Sequence, residues 1–267
     1  MVYLRSVTLT GERPAVWPFS VPSIAALETL ALDTPVTLLA GDNGCGKSTV
    51  LEALAVKLAL PAVGRTDAAR DDTLAPLRPL ARHMRLTFVS RPVNRLFLRS
   101  EDFFNFTLAL QREHEEMREE LARVEKEYAD RSRLTQELAR ASYAGSIAQM
   151  RGRYGRDLLQ AASHGESFLR LFQERLTPGG LYLLDEPEAP LSPQRQMSLY
   201  VIIKELALEH RCQFIIATHS PILLSMEGAR VYDLDQSPPA ETPWEELPNV
   251  RLMKNFLNSP RAYTSKL

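Results

Sequence analysis

Cysteine is scarce in this sequence, since the 267 residues include only Cys45 and Cys212. Two cysteines exclude a disulfide scaffold and are typical of a reducing compartment. No apolar run reaches the roughly 18 residues of a membrane-spanning helix, and the N-terminus lacks the apolar core of a signal peptide. The sequence therefore predicts a soluble, cytoplasmic protein with no membrane partner.

The sequence has no excess of charge of one sign either, because it contains 32 basic and 33 acidic residues and its formal net charge is -1. Any nucleic-acid binding therefore requires a local basic patch. One stretch qualifies, since residues 61–99 hold eight arginines and three aspartates, including Arg82, Arg85, Arg91 and Arg95. These arginines favour DNA or RNA as a partner, or ion pairs with a neighbouring acidic helix, and the sequence leaves both alternatives open.

Short apolar runs alternate with segments of helical periodicity. Residues 34–40, 181–184 and 213–218 are typical of buried strands. Residues 48–60 and 197–209 have the apolar spacing of helices. Because a strand, a helix and a strand in this order form a parallel unit, the pattern predicts an α/β fold around a mainly parallel sheet.

A glycine-rich loop follows the first of these runs. Residues 41–49 read GDNGCGKST and fit the phosphate-loop pattern G-x-x-x-x-G-K-[ST] between a predicted strand and a predicted helix. Backbone N–H groups of such a loop, and the helix N-terminus behind it, surround phosphate oxygens. Lys47 is predicted to reach the β- and γ-phosphates, and Ser48 to place its hydroxyl on Mg²⁺. The predicted nucleotide ligands in the loop are Asn43, Gly44, Cys45, Gly46, Lys47, Ser48 and Thr49.

Two carboxylates follow the apolar run 181–184. Asp185 suits coordination of Mg²⁺, and Glu186 is suited to orient or deprotonate an attacking water. The next strand is followed by His219, whose imidazole is predicted to contact a γ-phosphate. The pattern thus predicts Glu186 and His219 as catalytic residues beside a magnesium site of Ser48 and Asp185.

A long segment without glycine or proline interrupts the α/β pattern. Residues 111–141 are dense in Glu and Arg and predict a helix or a short helical hairpin. We therefore expect two lobes: residues 1–90 and 171–267 form a nucleotide-binding α/β lobe, and residues 91–170 form a helical lobe. Residues 227–246 are acidic and contain proline, and they are expected at the periphery.

These segments resemble the ATP-binding-cassette (ABC) ATPase class, and within it the stand-alone members related to SMC, RecF and OLD-type ATPases, among them a bacterial group of AAA-family ATPases. The resemblance covers nearly the whole length. Its anchors are GDNGCGKST at 41–49, FLRSEDFFN at 97–105, SHGESFL at 163–169, LYLLDEPEAPLSPQRQ at 181–196, FIIATHSPILL at 214–224 and FLNSPRAY at 256–263. The resemblance implies a P-loop NTPase of ABC-ATPase type with an inserted helical lobe. It also implies ATP and Mg²⁺ as ligands, and a homodimer that closes head to tail on ATP.

The resemblance also assigns the signature motif, which reads S-G-G-Q in most members of the class. Here its counterpart begins at Ser163, and Ser163, Gly165 and Glu166 are implied to bind the ATP held by the partner subunit. His164 replaces a glycine and Glu166 replaces the glutamine. Glu166 brings a negative charge close to phosphate, which departs from the pattern of the class.

Three further parts of the class have weaker counterparts. Glu101 is the candidate for the glutamine that reaches Mg²⁺, although Arg99 and Glu101 equally fit a structural ion pair. Pro190 and Ser192 fall at the loop that crosses the dimer interface. The aromatic residues that either stack on adenine or belong to the core are Tyr3, Trp17 and Phe19.

The sequence leaves two functions open. The first is an ATPase whose composite site makes hydrolysis depend on dimerisation, with nucleic acid or a DNA repair or defence complex as its candidate target. The second is an ATP-gated binding module whose output is dimerisation and whose turnover is slow. A P-loop kinase or GTPase is disfavoured, because no acceptor site is evident and no Asn-Lys-x-Asp motif is present.

Overall fold

The computed structural model describes residues 1–62, 67–159 and 164–264. The strands are β1 (Leu4–Leu9), β2 (Thr29–Ala31), β3 (Val36–Ala40), β4 (Met84–Phe88), β5 (Asn94–Arg99), β6 (Gly180–Asp185), β7 (Gln213–Ala217), β8 (Arg230–Asp233) and β9 (Ala240–Glu241). The α-helices are α1 (Pro22–Ala25), α2 (Lys47–Leu58), α3 (Arg78–His83), α4 (Ser100–Glu127), α5 (Arg133–Leu159), α6 (His164–Arg175), α7 (Pro193–Leu208), α8 (Pro221–Leu224), α9 (Pro248–Asn258) and α10 (Pro260–Thr264).

The larger sheet has the strand order β5–β6–β7–β3–β8–β9. Neighbouring strands are parallel from β5 to β8, and β9 pairs antiparallel with β8. Along β6, Leu181 and Leu183 pack in one hydrophobic cluster, whereas Tyr182 and Leu184 pack in another. The side chains alternate while all stay buried, because layers cover both faces of the sheet. The expected α/β fold with a mainly parallel sheet is confirmed.

The first face of this sheet packs against α2 and a small antiparallel sheet of order β2–β1–β4. Leu4 and Leu9 of β1 are buried in one cluster with Leu51 and Leu54 of α2. Lys47, the first residue of α2, is itself buried. Burial on nearly all sides of α2 fixes the helix, and therefore fixes the phosphate loop that leads into it.

The second face is covered by α7 and by the helices that follow β5. Leu199 and Ile203 of α7 are fully buried there. Phe103 of α4 meets Phe168 of α6 edge to face at a centroid distance of 4.5 Å, and Phe168 lies 4.8 Å from Phe172. These aromatic contacts anchor the helical segment to the sheet.

Helices α4 and α5 form an extended hairpin, which resolves the choice between one helix and a hairpin for residues 111–141. Arg140 of α5 contacts Glu125 of α4 at 2.8 Å across the hairpin. Most charged side chains of the hairpin are exposed, as its composition predicts. In the described part of the chain, no helix combines the length and the apolarity needed to cross a membrane.

Two sequence-based boundaries need correction. The predicted helical lobe, residues 91–170, includes β5, but β5 pairs with β6 from Asn94 to Arg99 and belongs to the large sheet. Residues 227–246 are not wholly peripheral, because β8 lies beside β3 in the sheet and Val231 is buried. A four-residue strand with two apolar side chains is too short to stand out in an acidic, proline-containing stretch.

Candidate functional site

The phosphate loop connects β3 to α2, as its sequence predicts. Gly46 has φ +106°, a conformation that favours glycine. A Cβ at this position would lie 2.7 Å from Ser23 Oγ. The Ser23 hydroxyl donates a hydrogen bond to the carbonyl of Cys45, so it is not free to move away. Gly46 is therefore required by both conformation and space, while Asn43 and Gly44 are exposed at the tip of the loop.

The Lys47 ammonium is held over the start of the loop. Its Nζ donates to the carbonyl oxygens of Gly41 at 3.0 Å and Asp42 at 2.9 Å. The same end of the loop is fixed by Asp235, whose two carboxylate oxygens each lie 2.9 Å from the backbone nitrogen of Asp42. The sequence did not predict a role for Asp235, because this residue follows β8, a short strand within an acidic, proline-containing stretch.

Ser48 and Asp185, the predicted magnesium ligands, are brought together. Ser48 Oγ donates to Asp185 Oδ1 at 3.0 Å. Burial raises the pKa of Asp185 to about 7, with a further contribution from the nearby carboxylate of Glu52. Burial disfavours the ionised form of the Asp185 carboxyl group, and a divalent cation bound between this group and the Ser48 hydroxyl would stabilise that form. The donor set of hard oxygens fits Mg²⁺.

Glu186 and His219, the predicted catalytic residues, also lie together. Glu186 Oε1 is 3.4 Å from His219 Nε2, and both side chains are partly exposed. Glu186 has φ +47°, which costs a non-glycine residue about 1–3 kcal/mol. Its N–H donates to the carbonyl of Ala217 at 2.9 Å, and Ser100 Oγ donates to its carbonyl. The backbone is thus held on both sides in a conformation that directs the carboxylate towards His219.

A third acid of the same segment, Glu188, was missed by sequence reasoning. It is about nine-tenths buried, and burial raises its pKa. Its Oε1 accepts hydrogen bonds from the Thr218 hydroxyl, the His219 N–H and the Ser220 N–H. A carboxylate three residues after Asp185 carries no sequence signal for this role, because the partners lie on another loop.

Glu101 lies at the edge of an ion-pair network centred on Arg99. Buried Arg99 donates to Asp102 at 2.7 Å and contacts Glu52 at 3.2 Å, Asp71 at 3.3 Å and Glu101 at 3.4 Å. Burial disfavours the Arg99 charge, but the hydrogen bonds and charges of Asp102 and Glu52 together outweigh it, and the pKa of Arg99 is raised. The structural ion pair considered for Glu101 is therefore present, and a role at the metal stays a prediction.

The three aromatic candidates for stacking on adenine are separated by burial. Tyr3 is 4% exposed and Phe19 is 3% exposed, so both belong to the core, whereas Trp17 is 54% exposed. Phe19 packs edge-on against His83. Trp17 lies four residues before Val21, which is one of the side chains around Gly46. Of the three candidates, Trp17 is therefore the one whose ring is accessible.

The signature segment can be followed only in part. Ser163 lies outside the described residues. Gly165 and Glu166 lie in the first turn of α6, and side chains at these positions are also outside the described part of the chain. Pro190 is half-buried and Ser192 exposed in the β6–α7 connection. The roles of these residues across a dimer interface stay predictions.

Two family models match the chain. One, described as "AAA domain, putative AbiEii toxin, Type IV TA system", matches residues 91–225, and another, described as "AAA domain", matches residues 22–61. The thiamine import ATP-binding protein ThiQ of Cereibacter sphaeroides is 32% identical over 182 residues, which cover 68% of this chain and 69% of that protein.

Solved structures with a similar fold include the Smc head domain of Pyrococcus furiosus. It has a TM-score of 0.44 and 14% identity, over 97% of this chain and 99% of that one. A metal-chelate-type ABC transporter in an inward-facing conformation has a TM-score of 0.48 and 14% identity, over 97% and 90%.

The strand order, the phosphate loop after β3 and the acids after β6 define a P-loop NTPase of ABC-ATPase type. The matching family models identify a particular family within this class. The chain belongs to the AAA-domain family whose model matches residues 91–225.

Proposed function

We propose that this ATPase binds Mg-ATP at the phosphate loop and hydrolyses it in a head-to-tail homodimer. The proposal rests chiefly on one juxtaposition: Lys47, the Ser48–Asp185 pair and the Glu186–His219 pair all follow the carboxyl ends of parallel strands in one sheet. Ligands of open α/β sheets bind at this edge.

Each residue has a distinct task in this proposal. Lys47 and the loop N–H groups bind the phosphates, and Ser48 and Asp185 hold Mg²⁺, which supplies charge neutralisation on them. Glu186 accepts the proton of the attacking water, and His219 donates a hydrogen bond to the γ-phosphate. Trp17 stacks on the adenine ring.

Dimerisation completes the site in the same proposal. Ser163 and Gly165 of one subunit bind the γ-phosphate of ATP held by the other, because a helix N-terminus favours anions. Hydrolysis then reopens the dimer. The rival is a nucleotide-gated module in which dimerisation is the output and turnover is slow.

Turnover of Glu186→Gln beside wild type tests the catalytic assignment. The substitution keeps shape and hydrogen bonding but removes the base, so the rate should fall by a factor of about 10² or more. ATP affinity should hold or improve, since a negative charge beside the triphosphate is removed. If wild type is no faster than Glu186→Gln while both dimerise with ATP, the gated module is the better description.

A nucleic-acid partner is the second candidate, favoured by a basic groove between the edges of the two sheets. The groove has a volume of about 600 Å³, and Lys57, Arg91 and Arg95 line it together with Phe88, which is 43% exposed. Within the described residues that line it, no carboxylate is present. Cations bind phosphates, and an exposed aromatic ring suits base stacking.

Charge reversal tests this second candidate. Arg91→Glu with Arg95→Glu should weaken binding of a fluorescent oligonucleotide and flatten its salt dependence, by about 0.9 in the log–log slope for each duplex phosphate that the variant no longer neutralises. Reversal of the exposed Arg112 and Arg131 on the helical hairpin is the matched control. Unchanged affinity and slope in the groove variant would remove the basis for a nucleic-acid partner at this groove.

A further inference from the structure

Glu188 connects two loops that the proposed reaction needs. It lies in the turn after β6, and its Oε1 accepts hydrogen bonds from Thr218 Oγ1 at 2.6 Å, His219 N at 2.7 Å and Ser220 N at 3.1 Å. One buried oxygen thus accepts hydrogen bonds from three consecutive residues of the β7–α8 loop. All three distances lie in the range of well-formed hydrogen bonds.

The loop has a second tether that comes from α7. Ser220 Oγ donates to Gln196 Oε1 at 2.7 Å, and Gln196 Nε2 donates to the carbonyl of Leu191 at 3.1 Å. The N–H of Leu191 in turn donates to the carbonyl of Glu188 at 2.8 Å. The chain after β6 and the loop after β7 therefore form one closed hydrogen-bonded unit.

This hydrogen-bonded unit fixes the position of the His219 backbone, from which the imidazole extends. The N–H groups of His219 and Ser220 follow the end of β7, where backbone donors need an acceptor outside the strand ladder. The His219 N–H donates to Glu188, and the Ser220 N–H is shared between Glu188 and Thr218 Oγ1. The His219 backbone therefore has a defined orientation, and the Nε2 of its imidazole lies 3.4 Å from Glu186 Oε1. Loss of the carboxylate would remove the acceptor of the His219 N–H, so that the imidazole could turn away from Glu186.

We propose that Glu188 is a positioning residue that holds the His219 loop in the geometry required for hydrolysis. Glu188 acts through His219 and has no contact with the nucleotide in this assignment. The effect on turnover rests on the proposed ATPase function, whereas the effect on the loop does not.

A double-mutant cycle in the full chain tests the proposal. Glu188→Ala should lower turnover about tenfold or more, no further than His219→Ala does, and leave the ATP dissociation constant within about threefold of wild type. Because the two residues act as one unit, the double variant should be no slower than His219→Ala. Glu188→Gln, which retains an acceptor oxygen, should recover part of the rate.

Hydrogen exchange gives a readout that does not depend on activity. In Glu188→Ala, the amides of His219 and Ser220 should exchange faster than in wild type. A milder pair of variants is Thr218→Val and Thr37→Val, since both threonines are fully buried and the Thr37 hydroxyl lies 3.3 Å from that of Thr34, at the start of β3. Thr218→Val should speed exchange at the His219 amide, which donates to Glu188, and Thr37→Val should not. The Ser220 amide is left out of this comparison, because it also donates to Thr218 Oγ1 at 3.0 Å.

The outcomes separate the two proposals. Independent, multiplicative losses of turnover, a wild-type rate in Glu188→Ala, or unchanged exchange at the two amides would each overturn the positioning role. If wild type itself does not hydrolyse ATP, the proposed function fails, and the exchange data alone decide whether Glu188 holds the loop.

Discussion

At the scale of single residues, the site concentrates acids where charge is costly. Asp185, Glu186 and Glu188 lie within four positions of one another, and Glu52 approaches from α2. Arg99 offsets part of this charge through its contact with Glu52. Burial raises the pKa of Asp185, Glu188 and Glu52. A cluster of buried acids of this kind is typical of a functional site, because a core built for stability alone would avoid it.

The raised pKa of Asp185 predicts a pH dependence of stability. Its pKa of about 7 exceeds the ordinary aspartate value of 3.8, so between these values the folded chain binds a proton that the unfolded chain does not. The free energy of unfolding should therefore fall as pH rises from about 4 to 7, by at most about 4 kcal/mol. Asp185→Asn removes this contribution, so the variant should gain stability relative to wild type at pH 8 and less at pH 5.

Denaturant unfolding with a chelator present, at both pH values, measures this effect. Asp130→Asn, at an exposed position of the helical hairpin, is the control and should change neither value much. An Asp185→Asn variant whose stability relative to wild type is the same at pH 5 and pH 8 would contradict the raised pKa.

At the scale of elements, the helices from α4 to α6 depend on an aromatic cluster for their attachment to the sheet. Phe168 is fully buried between Phe103 and Phe172. Phe168→Ala should therefore lower the free energy of unfolding by about 3–5 kcal/mol, because apolar burial is removed and a cavity is left behind. Chemical denaturation measures it. Phe256→Ala on α9, where the ring is 40% exposed, is the matched control, and an equal loss in both variants would contradict the anchoring role.

The elements that the sequence predicts well are those with a long or strongly apolar pattern. The strands β6 and β7 and the helix α2 follow from runs of apolar residues and from the glycine loop. β8 was missed because it owes its place to pairing with β3, from Thr37–Arg230 to Ala40–Asp233, and not to its own composition. Long-range pairing of this kind leaves little trace in a short segment.

The residues of the site also fall into a group that the sequence predicts and a group that it does not. Lys47, Ser48 and Asp185 belong to motifs whose spacing carries the chemistry, so they could be predicted. Glu188 and Asp235 could not, because each is defined by the loop it meets: Glu188 bonds to His219 across 31 positions, and Asp235 to Asp42 across 193. A carboxylate acquires such a role only when folding brings the second loop to it.

At the scale of the whole molecule, the proposed dimer places two different surfaces of each chain at one nucleotide. One surface is the edge of the sheet at Lys47 and Asp185. The other is the start of α6, which begins at His164 directly after Ser163. The aromatic cluster anchors the helical segment to the sheet, so both surfaces belong to one folded unit. In the proposed dimer, the nucleotide site of one subunit meets the signature segment of the other only when the two subunits associate.

Ser163→Arg tests this arrangement, because in the proposed dimer a long cationic side chain at the signature obstructs the partner subunit. ATP affinity of the monomer should stay within about threefold of wild type, since Lys47, Ser48 and Asp185 are intact. The doubling of mass that light scattering should detect for Glu186→Gln with Mg-ATP should disappear when Ser163→Arg is added. Ser142→Arg, at an exposed position of α5, is the control and should dimerise normally. If Ser163→Arg still dimerises with ATP, the segment at 163–166 is an ordinary helix start and the head-to-tail assembly is wrong.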